Sequence, residues 1–360
     1  MAEMTAPNPL AVPVAVSRPR FIVGPFYDAL FFIFSPLLAL GLGAVIYLGD
    51  LSSRKISVFG HEGSAPSIFI GTFIMAHLFA VFFRSNGNAK IFALHPYRFT
   101  VVPIVLFLAM CANPWVAISV GVLATWWDVY HSSLQTFGLG RLYDMRAGND
   151  PRVGRRLDLM LNLLLYAGPI LAGASLMLHT KDFRAYDAVH SAFFAGLGDR
   201  IDAGQPGMTK VILAIGIPFL VYYVASYVGY WRRGYAISVP KVVLLVTTGI
   251  CSIYVWGFNS FGEAFFIMNF FHAFQYFGLV WWSEKKSMQS LFRVDGFRYG
   301  KAFALTAFLA ISFGYGFWAE VFDTETVGTS LDVSWNIAIV VAIMHFWYDG
   351  FIWSVRKKQV

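Results

Sequence analysis

Ten predominantly apolar runs follow one another along the chain. They lie at about 26–49, 66–84, 99–113, 114–138, 159–179, 209–231, 240–257, 261–282, 302–320 and 335–355. A helix crosses a bilayer with roughly 20 such residues. In hydrocarbon only a helix or a closed barrel satisfies its own backbone hydrogen bonds. The runs therefore predict an all-α, polytopic integral membrane bundle of about ten transmembrane helices. Composition agrees, with 58% hydrophobic and only 13% charged residues, where a soluble domain carries about 25% charge. The third run is short. Asn113-Pro114 predicts a tight turn after it, because Pro suits the first position of a helix, and Asn259-Ser260 predicts another.

The basic residues orient these runs. With the N-terminus inside, 21 of the 27 Lys and Arg fall in cytoplasmic segments and six fall outside: Arg54, Lys55, Lys181, Arg184, Arg200 and Lys210. The bias alternates correctly from loop to loop, as the positive-inside rule requires. Both termini are therefore expected in the cytoplasm. Residues 1–25 read as a mobile cytoplasmic tail, 26–356 as a single transmembrane domain and 357–360 as a short cytoplasmic end. No cleavable signal peptide or organelle-targeting peptide is evident, which suggests a bacterial inner (plasma) membrane.

The net charge of +7 does not imply nucleic acid, because it sits in short loops between spans. The five Arg of the loop at about 139–158 suit anionic headgroups instead. Cys111 and Cys251 are the only cysteines, too few for a disulfide framework or a Cys-based zinc site. The chain lacks a Walker A sequence and a His-Glu-x-x-His helix, a Gly-x-Ser-x-Gly elbow and a Cys-x-x-Cys-His haem attachment.

What remains is a set of polar residues where lipid disfavours them. His77, His131, His272 and His345 fall in the second, fourth, eighth and tenth runs, all oriented from outside to inside. The next basic anchors follow at spacings of 7, 10, 13 and 11 residues, which puts the histidines between mid-depth and the inner face. Polar companions repeat at helical spacing. Asp128, His131 and Gln135 share one face, as do His272 and Gln275, and His345 and Asp349. A Gly ends each stretch, at Gly138, Gly278 and Gly350.

A single buried His is commonly an interhelical hydrogen-bonding residue. Four of them with carboxylates nearby point to metal. Neutral imidazole is the commonest protein metal ligand, a carboxylate balances the ion's charge, and bundle interiors build such sites from facing helices. The expected ligands are His77, His131, His272 and His345. Asp128 and Asp349 are the expected catalytic carboxylates or bases, and Gln135 and Gln275 would orient ligands or substrate. Iron is favoured, with copper, zinc and manganese open. The matching activity is an oxygen-dependent oxidation of a lipophilic small molecule: a lipid, isoprenoid or carotenoid. Membrane lipids are the surrounding partners, and a homo-oligomer or a subunit of a larger membrane complex is compatible with the sequence. Rival readings are a proton-coupled transporter, a bis-His haem electron-transfer protein and an accessory subunit. Asp28 and Glu263 read as helix-start acids, His95 as an inner-loop residue, and His61, His179 and His190 as external.

Overall fold

The computed structural model describes residues 20–259, 261–322 and 333–353, side chains of 261–264 excepted. Most of the two expected tails, the Ser260 turn position and the Glu263 side chain lie outside the described residues. The architecture is all-α apart from one hairpin. The principal helices are α1 (Ser35–Leu48), α2 (Ala65–Ser85), α3 (Pro96–Ala112), α4 (Pro114–Arg146), α5 (Arg155–Ala172), α6 (Gln205–Arg232), α7 (Val239–Phe258), α8 (Phe261–Leu291), α9 (Gly300–Phe322) and α10 (Val333–Ile352). The hairpin pairs β1 (Lys55–Val58) with β2 (His61–Ser64). Its two turn residues, Phe59 and Gly60, have φ of 51° and 88°, the left-handed pair that a two-residue hairpin turn demands.

The lipid solvent is legible on α6. This helix is apolar throughout, yet only 6% of its most hydropathic window is buried, and Val211, Leu213, Ile215, Ile217 and Val221 all point outward. Water does not tolerate so continuous an apolar surface. The chain is an integral membrane protein.

Each apolar run falls on helix, but not always as a simple span. Five described helices are long and apolar enough to cross a membrane, or up to seven with two bent pairs joined. α3 is a shorter apolar helix. α4 and α8 run on to Arg146 and Leu291, past the ends at 138 and 282 that apolarity alone suggests, because their later turns bury polar groups. The run at 159–179 breaks after α5, where the chain bends by 98° into Leu176–Val189. Pro169 lies inside α5, and Gly173 lies against the backbone of Trp256 and Gly257, where a Cβ would collide.

The first run is broken too. A short arm, Pro25–Ile33, meets α1 at 57°. Pro36 has no N–H to donate to the Phe32 carbonyl, so that oxygen loses its helical partner. Gln275 Nε2 of α8 supplies the missing bond at 2.8 Å, and Thr247 Oγ1 of α7 donates to Ile33 O at 2.9 Å. Asp28 is a helix-start acid, in the first turn of the helix Pro25–Asp28. It is fully buried and accepts the N–H groups of Ile22 (2.7 Å), Val23 (3.0 Å) and Gly24 (3.2 Å) and the Tyr143 hydroxyl (3.0 Å).

α2, α8 and α10 form the centre of a Phe-rich core with α9 against α2. Gly316 of α9 faces Thr72 and Ala76 so closely that a Cβ would overlap both, the small-residue approach typical of membrane helices. Two ion networks tie helix ends together. Asp158 Oδ2 accepts from Arg141 (2.6 Å) and Lys241 (2.8 Å), and Asp144 Oδ2 accepts from the same two cations, each at 2.7 Å. Tyr223 and Tyr227 donate to Asp158 Oδ1 at 2.8 and 2.6 Å. Elsewhere Arg84 pairs with Glu284, both about 2% exposed, and caps Ile352 O through Nη2 at 2.8 Å.

Removing one member of a buried network strands its opposite charge, at a cost of about 3–5 kcal/mol. Asp158→Ala is expected to lose that much stability in a detergent thermal melt. Tyr227→Phe, which removes one bonded hydroxyl, should cost about 1 kcal/mol. Equal melts for the two variants would contradict the network's role.

Candidate functional site

Four helices that are distant in sequence deliver the four histidines to one point. His77 comes from α2, His131 from α4, His272 from α8 and His345 from α10, and none is more than 4% exposed. Their ring centroids form a closed square. His77 lies 5.1 Å from His272 and 5.0 Å from His345, while His131 lies 5.0 Å from His272 and 4.7 Å from His345. The Nε2 atoms of His131 and His345 are 3.0 Å apart.

The hydrogen bonds around the square select which nitrogens face inward. His77 Nδ1 lies against the Ile74 carbonyl of its own helix. A carbonyl only accepts, so Nδ1 carries the proton and the Nε2 lone pair is left exposed to the cluster. That Nε2 has no hydrogen-bond partner, and neither nitrogen of His272 has one. An unsatisfied buried polar atom costs about 1–3 kcal/mol. A neutral imidazole has one lone-pair nitrogen, so His77 and His272 each offer one ligand atom without a partner among the described residues.

Asp349 lies one turn beyond His345 on α10, where the spacing of four residues places it. Its two oxygens divide their work. Oδ1 accepts from the Tyr276 hydroxyl at 2.9 Å and from Trp353 Nε1 at 2.8 Å. Oδ2 faces His131 Nε2 at 3.8 Å and His345 Nε2 at 4.0 Å. Among the described residues, two groups could hold a metal ion: His77, His272 and His345, and His131, His345 and Asp349, each with its candidate atoms within 4.8 Å of one another.

The other expected residues take different places. Asp128 hydrogen-bonds to Asn269 and Ser132 and belongs to neither group. Gln135 Nε2 donates to the His272 carbonyl at 3.1 Å and to Gln275 Oε1 at 3.0 Å. Gln275 in turn holds Phe32 O. The two glutamines therefore link α4, the backbone beside His272 and the broken first run, and hold the imidazole of His272 only through its backbone.

Two participants escaped the sequence reading. Tyr276 and Trp353 anchor Asp349, and each lies four residues from a polar residue already on that face (His272 and Asp349). His179 is buried, with Nδ1 3.0 Å from Ser175 O, and lies away from the cluster against Trp256. His95 packs against Phe351 at 4.9 Å between ring centroids, outside both ligand groups.

A pocket of about 120 Å³ opens beside His131 and Asp349, between α4, α8 and α10. Gln135 and Tyr276 complete its polar lining, and Leu, Phe and Trp side chains form the rest.

No protein-family model matches the chain, and no curated protein or solved structure matches it either.

Gln275→Leu removes the shorter of the two side-chain bonds to Phe32 O, at 2.8 Å, and leaves only the Ser35 hydroxyl at 3.3 Å. The variant is expected to lose about 1–3 kcal/mol in a detergent melt, with His272 displaced through Gln135. A variant as stable as the parent would remove the glutamine pair from the support of the site.

Proposed function

We propose that this chain is a membrane-embedded metalloprotein whose four histidines hold one or two metal ions, and that it oxidises a lipophilic substrate with oxygen. One observation carries the reading: four imidazoles from four helices meet at 4.7–5.1 Å between centroids, with ring nitrogens that no protein group satisfies. Two nitrogens bound to one ion at about 2.0–2.1 Å lie about 3 Å apart at ordinary coordination angles. The His131–His345 separation of 3.0 Å suits that geometry. The same spacing favours a bare ion over haem, since a porphyrin between two axial imidazoles separates their rings further. Among the candidate metals, iron suits a mixed imidazole and carboxylate set and oxygen chemistry.

The protein's own contribution is positional. His77 is fixed in one tautomer by Ile74, His345 is shared by both ligand groups, and Asp349 is aimed by Tyr276 and Trp353. Such outer partners set ligand orientation and basicity. A redox-active metal bound here would supply the activation of oxygen, while the Phe-rich bundle keeps water from the site.

Elemental analysis of protein purified in mild detergent tests the reading. One or two metal ions per chain are expected, lost in His131→Ala and His345→Ala and retained in His95→Ala. Tyr276→Phe should keep the ion but weaken its binding by about 10–100-fold. A folded wild-type protein without metal would overturn the assignment, as would a Soret band in its spectrum.

We further propose ten spans with both termini cytoplasmic, in a bacterial inner membrane, on the strength of the loop charges. In a background lacking Cys111 and Cys251, Arg152→Cys should react with an impermeant maleimide only from the cytoplasmic side, and Asp187→Cys only from the opposite side. The reverse pattern would invert the topology.

A further inference from the structure

The pocket beside the histidines has a shape that the metal site alone does not require. Trp127, His131, Leu134, Gly138 and Leu142 recur at spacings of four, three, four and four along one face of α4 and form one wall of it. That stripe runs over sixteen residues, and its fifteen steps span about 22 Å of helix at 1.5 Å per residue. The opposite wall is Phe346, Asp349, Gly350 and Trp353 of α10, and Tyr276 and Leu279 of α8 close the back. The pocket of about 120 Å³ therefore lies along the helices as a trough.

Polarity is graded along it. His131, Gln135, Tyr276 and Asp349 line the part next to the histidine cluster. Beyond Gln135 the α4 wall is Gly138, Leu139 and Leu142, faced by Leu279, and offers no side-chain hydrogen-bonding group. An occupant of this trough has a reacting carbon at the polar part and a hydrocarbon stretch along the rest.

Two glycines line its walls. A Cβ built on Gly138 or on Gly350 meets no atom within 4 Å, so both face open space, and Gly350 is exposed. They sit on the two helices that flank the trough. Glycine within a helix costs about 1 kcal/mol relative to alanine, and neither position needs glycine for packing or for a left-handed φ. The missing side chains leave unfilled space at the two points where α4 and α10 line the trough.

We propose that a linear hydrocarbon chain from the surrounding bilayer enters the trough past these two points, and that Gly138 and Gly350 determine which chains reach the histidine cluster. The substrate class is a long-chain lipid presenting a chain carbon, rather than a polar headgroup, to His131 and Asp349. The oxidation of that chain rests on the metalloprotein reading above; its binding does not.

Photolabelling separates the two. The intact protein in phosphatidylcholine vesicles is irradiated with a long-chain fatty acid carrying a diazirine at its methyl end, and the labelled residues are mapped by mass spectrometry. The metal content of the same preparation is measured in parallel. Labelling is expected at Leu134, Leu139 and Leu279, and excess unlabelled fatty acid should compete it away. Gly138→Leu and Gly350→Leu should each reduce it by about tenfold or more, the discrimination a hydrophobic pocket makes over a single methylene. Gly138→Ala, which adds one methyl to open space and favours the helix, should fold normally and give a smaller loss. Label spread evenly over lipid-facing residues such as Leu213 and Val221, with none concentrated in the trough, would overturn the proposal. So would trough labelling that both leucine variants leave unchanged. Metal retained without trough labelling removes only the trough, and trough labelling without metal removes only the metal.

Discussion

Lipid accepts no hydrogen bonds, so every polar group drawn into this bundle must find its partner inside the protein. That constraint organises the structure from backbone to site. The bend at Phe34 exists because Pro36 withholds an N–H, and it persists because Gln275 reaches across from α8 to take the stranded carbonyl. Backbone N–H groups and the Tyr143 hydroxyl surround the buried Asp28 carboxylate. Asp144 and Asp158 share Arg141 and Lys241, so two carboxylates meet two cations with no net charge left over. Apolar packing fills the space between these points, but the points decide which helix faces meet.

Against this background the histidine cluster stands out by contrast. Asp28, Asp158 and the Arg84–Glu284 pair are satisfied by neighbours, whereas His77 Nε2 and both nitrogens of His272 have no partner among the described residues. The surroundings are nevertheless ordered around them. Ile74 holds one tautomer, Tyr276 and Trp353 turn Asp349, and Gln135 fastens the backbone of α8 beside His272. Support invested in atoms that themselves lack partners is the signature of a preorganised site. The trough lies alongside that cluster, and its proposed approach from the bilayer runs past Gly138 and Gly350.

The class of the fold and the sharing of helix faces by the polar residues were legible in the chain because both follow from one-dimensional periodicities. Runs of about 20 apolar residues report helices in lipid, and spacings of three and four report shared faces. The pairs His345 with Asp349 and His131 with Gln135 therefore stand in the structure where helical spacing put them. Helix ends were less legible. α4 continues to Arg146 because Arg141 and Asp144 are buried by α5 and α7, and no local feature of 139–146 announces that burial. Asp128 has the same spacing logic as Asp349, yet it turns to Asn269 on α8. Helical phase tells which residues share a stripe but not which neighbouring helix the stripe faces.

The sequence by itself determined that this protein lives in a bilayer as a helical bundle, and that four histidines lie in apolar runs where lipid disfavours them. It determined this because hydropathy and helical period are properties of short segments. Only the tertiary structure decided that those four histidines meet at one point, that Asp349 and not Asp128 joins them, that Tyr276 and Trp353 aim that carboxylate, and that Gly138 and Gly350 line the pocket beside them. These depend on contacts between residues as far apart as His77 and His345, set by the rotation of each helix about its axis. That rotation is fixed by packing and by hydrogen bonds between helices, which no single segment contains.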